Sequence, residues 1–328
     1  MSKKVRWGVL GCGTIANEFA QDLAYTKNCE LFAAGSRTLK KARFFADKYK
    51  APRAYGSYQQ LLNDKDIDAV YIATPHPFHM ENTLQSIKAG HAVLCEKPAA
   101  VNAKQFCKMQ KAAAGKGVFL MEGMWTRFFP AMRQLRKWLD EKRIGDVLEL
   151  KADFGFHFKV PPEHRIHNIL LGGGALLDLG IYVVSLASMV YGVQPKEIVS
   201  VIHREKTGAD DQASILFQYE NGASASLSCS SRFAMKQRVC VYGTKGMIII
   251  PDNFYRPSEI ILEIEGQQAG TYDFEHPGNG FQFEADHVAD CLEKGKMESE
   301  IMPLSETAEI LKTMDKIRRQ WKLKYPDE

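Results

Sequence analysis

A chain of 328 residues is long for a single hydrophobic core and points to two domains. Hydrophobic residues make up 45% and charged residues 25%, an ordinary balance for a globular protein. The 43 basic and 39 acidic residues leave a formal net charge of +4 that is not gathered into one run, which argues against nucleic acid or a membrane surface as the main partner.

The lead Met1-Ser-Lys-Lys4 passes directly into an apolar strand too short for a signal-peptide core. Strands are expected over 5–10, 30–35, 69–73, 92–95 and 118–121, with helices over 14–25, 39–49, 78–89 and 103–115. This alternation with short connections predicts a parallel, doubly wound sheet, a Rossmann domain over 1–123. Beyond it the rhythm changes. A helix is expected near 130–141, a strand at 147–156, and a helix after the glycines 172–174. Consecutive strands follow at 198–203, 213–219, 223–230, 237–242, 247–250 and 260–264, and helices near 281–294 and 305–321 close the chain. That pattern predicts an α+β domain over 124–328 on a mostly antiparallel open sheet. The fold class is therefore α/β with this second domain attached. The longest apolar region, around 181–193, is broken by serines and is expected to fall well short of a membrane span.

Cysteines stand at 12, 29, 95, 107, 229, 240 and 291, odd in number and without a CxxC pair. Neither a disulfide framework nor a zinc site is expected, and a reduced, cytoplasmic setting fits. His164 and His167 form an HxxH, but no carboxylate or cysteine is spaced to complete a metal site, so no metal is expected.

The stretch Gly11-Cys-Gly13-Thr14-Ile15-Ala16 is a GxGxxA between the first strand and the first helix. The first glycine permits a tight turn and the second lets the backbone approach a pyrophosphate. The small third residue allows close helix–strand packing, and the helix N-terminus faces the anion. An acid about 20 residues on would mark a ribose 2′-hydroxyl. Here the second strand instead ends Gly35-Ser36-Arg37-Thr38, with Lys40 and Lys41 behind, a set that could bind a 2′-phosphate. NADP is expected as cofactor, with NAD possible; a solvated Arg37 is the plainer alternative.

Glu96-Lys97-Pro98 follows the strand 92–95, and ligands in open α/β sheets bind beyond the carboxyl ends of strands. Position alone leaves Lys97 either a surface charge or a site residue. Asp178 and Tyr182, four apart, share one helix face, and the glycines before them are expected to leave backbone N–H groups open to a ligand. On the residues alone Tyr182 reads as amphipathic core.

The chain resembles the glucose-fructose oxidoreductase, inositol dehydrogenase and rhizopine-catabolism (Gfo/Idh/MocA) family along nearly its whole length. The resemblance rests on the GxGxxA, Thr74-Pro75 with His79, Glu96-Lys97-Pro98, Glu122-Gly-Met-Trp125-Thr-Arg127-Phe and Gly172-Gly-Gly-Ala-Leu-Leu-Asp178-Leu-Gly-Ile-Tyr182. The last two stretches look most like the branch of dimeric dihydrodiol dehydrogenases and NADP-dependent D-xylose dehydrogenases. The resemblance implies an enzyme that moves a hydride between nicotinamide and a hydroxyl or carbonyl carbon of a sugar or cyclic diol. It implies a catalytic Lys97, often followed by a cis proline, with Asp178 and Tyr182 as its partners. It adds Thr74, His79 and Glu96 to Gly11, Gly13, Thr14, Ile15, Ala16, Ser36, Arg37 and Lys97 as cofactor-binding residues.

The chemistry is coherent. A free tyrosine, with a pKa near ~10, is a poor base at neutral pH, and a nearby ammonium favours its phenolate. Trp125, Phe154 and Phe281 fall where that branch has aromatic substrate-binding residues; core packing is the plainer reading of each, and they rank below the catalytic set. Arg127 either contacts cofactor or pairs with a carboxylate. The lead into the glycines, Arg165-Ile-His167-Asn-Ile-Leu-Leu171, lacks the Asp-Pro common in the branch, a departure that bears on substrate more than on reaction type. A nicotinamide-dependent glycosidase and a non-catalytic cofactor sensor are the competing readings. The second domain's sheet is expected to serve self-association, most simply a homodimer.

Overall fold

A computed structural model describes residues 4–161 and 163–326; the first three residues of the basic lead lie outside these. The chain forms two compact units. The first takes the chain up to Ala100, Lys104–Phe128 and Pro277–Thr307; the second takes Val101–Ala103, Phe129–His276 and the chain from Ala308.

In the first unit β1 (Val5–Leu10), α1 (Thr14–Asp22), β2 (Cys29–Gly35), α2 (Leu39–Tyr49), β3 (Arg53–Tyr55) and α3 (Tyr58–Leu62) lead on to β4 (Ala69–Ile72). Then come α4 (His79–Ala89), β5 (Ala92–Glu96), α5 (Ala103–Lys116) and β6 (Leu120–Gly123). All strand pairs are parallel, in the order β3-β2-β1-β4-β5-β6. Every residue of β4 and β5 is buried, as strands covered on both faces must be. The order reverses direction between β1 and β4, so the crevice for a ligand lies beyond their carboxyl ends. Neither β3 nor α3 is anticipated from sequence. With three and five residues, they are too short to show a period.

In the second unit α6 (Pro130–Asp140), β7 (Val147–Gly155) and α7 (Ile181–Tyr191) are followed by β8 (Glu197–Arg204), β9 (Asp210–Gln218), β10 (Ser224–Ser230) and β11 (Val239–Gly243). The meander β12 (Gly246–Ile250), β13 (Glu259–Ile264) and β14 (Gly270–Asp273) completes an eight-stranded sheet, ordered β14-β13-β12-β11-β7-β10-β9-β8. Its pairs are antiparallel except β7 with β10, which is parallel. Along β10, Ala225, Leu227 and Cys229 face inward and are buried, while Ser224, Ser226 and Ser228 alternate onto the other face. Last in chain order come α8 (Phe281–Glu293), which belongs to the first unit, and α9 (Leu304–Gln320), most of which belongs to the second.

One expectation is corrected here. The helical run Ile169–Tyr191 has the length and apolarity of a membrane span. The serines do not interrupt the run, because Ser185 and Ser188 are themselves buried. The most apolar 18-residue window of the run is 83% buried within the protein, the pattern of a core helix.

The segment that returns to the first unit is anchored by α1. Both oxygens of the buried Asp22 accept the Asn279 N–H, at 3.0 and 2.9 Å, and Oδ2 accepts those of Gly280 and Phe281 at 2.8 and 3.0 Å. These are unsatisfied donors at the start of α8, so a carboxylate from another helix does the work of an N-cap.

Candidate functional site

In the first unit the turn after β1 has the geometry its glycines imply. Gly11 has φ +93°, and a Cβ there would lie 2.8 Å from the Ala73 carbonyl oxygen. Its N–H donates to the Gly35 carbonyl at 3.0 Å, tying the turn to the end of β2. At Gly13 an added Cβ would meet nothing within 4 Å, and no side chain caps α1. Thr14 is exposed, Ile15 half-buried and Ala16 fully buried beneath the turn. An open cradle at an uncapped helix start fits the pyrophosphate of a dinucleotide.

Ser36 is buried and Arg37 exposed at the end of β2. The charge of Lys41 acts on the turn itself, whereas that of Arg37 acts on Tyr58 of α3. Burial pushes the Cys12 thiol up to about 11 against the opposing charge of Lys41, and burial raises the Tyr58 phenol against that of Arg37. Lys41 is one of the basic residues noted from sequence behind Arg37, whereas Tyr58 sits on α3, which the sequence does not disclose.

The carboxyl ends of β4 and β5 are fastened together by His79, which is fully buried. Its Nε2 lies 2.6 Å from the Thr74 carbonyl oxygen and its Nδ1 2.8 Å from that of Pro98. Thr74 Oγ1 accepts from the Asn82 side chain at 3.0 Å. The Lys97–Pro98 bond is cis. Glu96 is buried, takes the Tyr71 hydroxyl proton in a hydrogen bond, and accepts the Lys97 N–H at 3.2 Å. Two further carboxyls lie behind this strand end. Burial pushes Glu122 up to about 7, while Glu284, also wholly buried, is raised well above the carboxylate range by burial and by the charge of Glu96.

Trp125 and Phe281 stack face to face, ring centroids 4.4 Å apart and planes within 3°. Phe281 is fully buried and Trp125 nearly so. Arg127 resolves to its second alternative: its guanidinium holds both oxygens of Glu306, at 2.7 and 2.9 Å.

In the second unit the three glycines lead into one π-helical turn, Leu176–Gly180, before α7 begins. Gly174 has φ +136°, and a Cβ there would lie 2.3 Å from Asp210 Oδ1. Asp210 on β9 is buried and accepts the Leu176 N–H at 2.7 Å. This corrects the expectation that the helix start is left open to a ligand: Asp210 holds one of its donors. Burial pushes the Asp210 carboxyl up to about 6. Nothing near Asp210 in sequence links it to residue 176.

Asp178, in the π turn, is buried and pairs with Arg165 at 3.2 Å. Tyr182, in the first turn of α7, packs its ring on Phe154 with centroids 4.7 Å apart. Phe154 in turn meets Phe156, Phe254 and Tyr255 at 5.1–5.4 Å. Sequence reading finds Phe154 but misses Phe254 and Tyr255, which lie in an irregular loop before β13. His167 pairs with Glu205 at 2.8 Å.

A parallel sheet in the 3-2-1-4-5-6 order, with a glycine turn at its first strand and basic residues at its second, defines a nicotinamide-dinucleotide-dependent oxidoreductase. Family comparisons agree: residues 5–124 match the oxidoreductase family with NAD-binding Rossmann fold, and residues 132–249 match the Gfo/Idh/MocA C-terminal domain. The chain belongs to the Gfo/Idh/MocA oxidoreductase family. It is 39% identical to the trans-1,2-dihydrobenzene-1,2-diol dehydrogenase of Mus musculus and 36% identical to that of Homo sapiens, over 99% of each chain in both cases. Among solved structures, an aldose-aldose oxidoreductase from Caulobacter crescentus superposes with a TM-score of 0.89 at 25% identity, covering 98% of both chains. A 3-ketoreductase from Actinomadura kijaniata, in complex with NADP and TDP-benzene, superposes with a TM-score of 0.85 at 25% identity, over 97% of this chain and 98% of the other. The protein is an NAD(P)-dependent oxidoreductase acting on hydroxyl or carbonyl carbons.

Proposed function

We propose that the protein interconverts a secondary alcohol and a ketone on a small ring, a trans-dihydrodiol or a pyranose, with NADP preferred over NAD. The observation that carries this reading is the aromatic setting of Tyr182: a phenol held against Phe154, with Tyr255 beside it, offers a proton-transfer group next to flat apolar surface. Full-length similarity to dihydrodiol dehydrogenases supports the same substrate class.

A bound nicotinamide would supply or accept the hydride. Gly11, Gly13, Thr14, Ile15 and Ala16 would hold its pyrophosphate, Ser36 and Arg37 the 2′-phosphate, and Thr74, His79 and Glu96 would shape the nicotinamide end. Tyr182 takes the alcohol proton in oxidation and returns it in reduction. Lys97 supplies the positive charge that favours the phenolate and steadies developing negative charge on the substrate oxygen. Asp178, fixed by Arg165, orients the substrate. Trp125, backed by Phe281, and Phe154 supply ring-binding surface. The division of labour is cofactor binding by residues 1–123 and substrate binding by 124–328. A homodimer through the exposed face of the eight-stranded sheet, in a reduced cytoplasm, is part of this reading; all seven thiols are free.

The test is purified protein incubated with NADP or NAD and a panel of dihydrodiols, aldoses and inositols, followed by the absorbance of reduced nicotinamide. NADP-dependent signal with a diol or pyranose, lost in Tyr182→Phe, is expected. Arg37→Ala should weaken NADP at least tenfold, by about 1.4 kcal/mol, and leave NAD unaffected. Silence across the panel with cofactor bound would overturn the substrate assignment. NAD preference in the unaltered protein would overturn the role of Arg37.

A further inference from the structure

His287 and Cys291 lie four residues apart on α8 and share one face. Glu300 joins them from the loop before α9. One ring nitrogen, the thiol sulfur and one carboxylate oxygen all lie within 4.8 Å of one another. His287 and Cys291 are buried, whereas Glu300 opens to solvent.

Two details point to a ligand. Cys291 Sγ is 3.4 Å from His287 Nε2. A tetrahedral zinc with Zn–N of about 2.0 Å and Zn–S of about 2.3 Å holds those two atoms about 3.5 Å apart. The protonation of the ring points the same way. Ser299 Oγ accepts the N–H groups of Ile301 and Met302, each at 3.0 Å, and lies 2.7 Å from His287 Nε2. With its lone pairs engaged, the serine hydroxyl donates to Nε2, which assigns that nitrogen as the unprotonated one. Its single lone pair accepts the Ser299 hydroxyl, and a metal bound beside the thiol would take the serine's place on it.

We propose that His287 Nε2, Cys291 Sγ and the Glu300 carboxylate form a binding site for a zinc-class divalent cation, with water in the fourth position. On binding, the Cys291 S–H bond breaks and its proton passes to solvent as the metal–sulfur bond forms. The Ser299 hydroxyl turns away, and Glu300 leaves Lys296, which it meets at 2.7 Å, for the metal. No oxidation is involved, and the thiolate and carboxylate together balance the cation's charge. Metal uptake at this site therefore releases one proton. The metal would clamp α8 to the loop whose Met297 carbonyl accepts from Leu120 of β6 at 3.1 Å, a structural role away from the reaction.

The probe is Co2+ added to the full chain, with thiols kept reduced by a non-chelating phosphine. One equivalent should give the visible bands of tetrahedral cobalt and a near-ultraviolet thiolate-to-cobalt band, all displaced by Zn2+. Cys291→Ser should abolish the thiolate band, with the circular dichroism and NADP binding of the unaltered protein. Glu300→Gln, a change at an exposed position, should weaken cobalt binding by about tenfold or more and serves if the cysteine variant does not fold. Absence of tetrahedral bands at millimolar cobalt would overturn the proposal, as would a thiolate band that survives Cys291→Ser.

Discussion

The ring of Tyr182 is held by Phe154, their centroids 4.7 Å apart and their planes inclined at 54°. That ring contact does not need the hydroxyl. Tyr182→Phe should therefore keep the packing and melt within a few degrees of the unaltered protein, while turnover falls by about 10²–10⁴-fold. Phe154→Ala should cost about 3–5 kcal/mol of stability. Comparing Tm with kcat for both variants checks this, and a Tyr182→Phe enzyme that turns over normally would remove the tyrosine from the mechanism.

Gly11→Ala puts a methyl 2.8 Å from a backbone oxygen at a φ of +93°. We expect a loss of about 1–3 kcal/mol in stability from the strained backbone. NADP affinity should fall with it, because the turn must move. Gly13→Ala, where the added carbon meets nothing, should leave stability nearly unchanged while obstructing the cofactor. Fluorescence titration with NADPH beside thermal melts separates the two; equal melting temperatures for both variants would contradict the geometry.

The pH dependence of stability should carry the mark of Glu122. Burial pushes its carboxyl up to about 7, whereas in the unfolded chain it titrates near ~4.3. The folded state thus keeps the proton to higher pH than the unfolded state. Its contribution favours folding in acid and is lost as pH rises from about 4.3 to about 7. Glu122→Gln keeps the shape and cannot ionise, so it should stabilise the protein above that window and flatten the fall in Tm between about pH 4 and about pH 7. An unchanged slope would show that this carboxyl does not titrate with folding.

The outer face of the eight-stranded sheet exposes Val199, Val201 and Leu216 at 64%, 66% and 56%. Val199 and Leu216 are cross-strand partners, so the patch is continuous. Leu216→Lys should turn the proposed homodimer into a monomer, read by light scattering on a sizing column. An unaltered protein that is already monomeric would dispose of the interface.

Much of this molecule is legible in its sequence because regular periods and glycine turns are local signals. The GxGxxA announces Gly11 and its turn, and alternation along 223–230 announces the two faces of β10. Other features depend on contacts the chain makes far from itself. Asp210 caps the turn at Leu176 from β9, and Tyr255 reaches Phe154 from an irregular loop; neither has a neighbour in sequence that hints at its task. The π turn is similar: its apolar run, Leu176–Gly180, reads as an ordinary helix. His287 and Cys291 show helical spacing in the sequence, but the third member of their cluster comes from a loop whose path no pattern discloses.

The carboxylate of Asp22 has a consequence for how the protein is made. Its donors lie 257–259 residues downstream, so on the ribosome this acid is synthesised long before anything can occupy it. The nucleotide-binding unit must wait, with a polar group of its core uncompensated, until almost the whole chain has emerged. A chain halted anywhere between Gly123 and Asn279 would carry every strand of the parallel sheet and still lack the contacts that seal it. Nascent or truncated chains should therefore be the species that chaperones and proteases recognise.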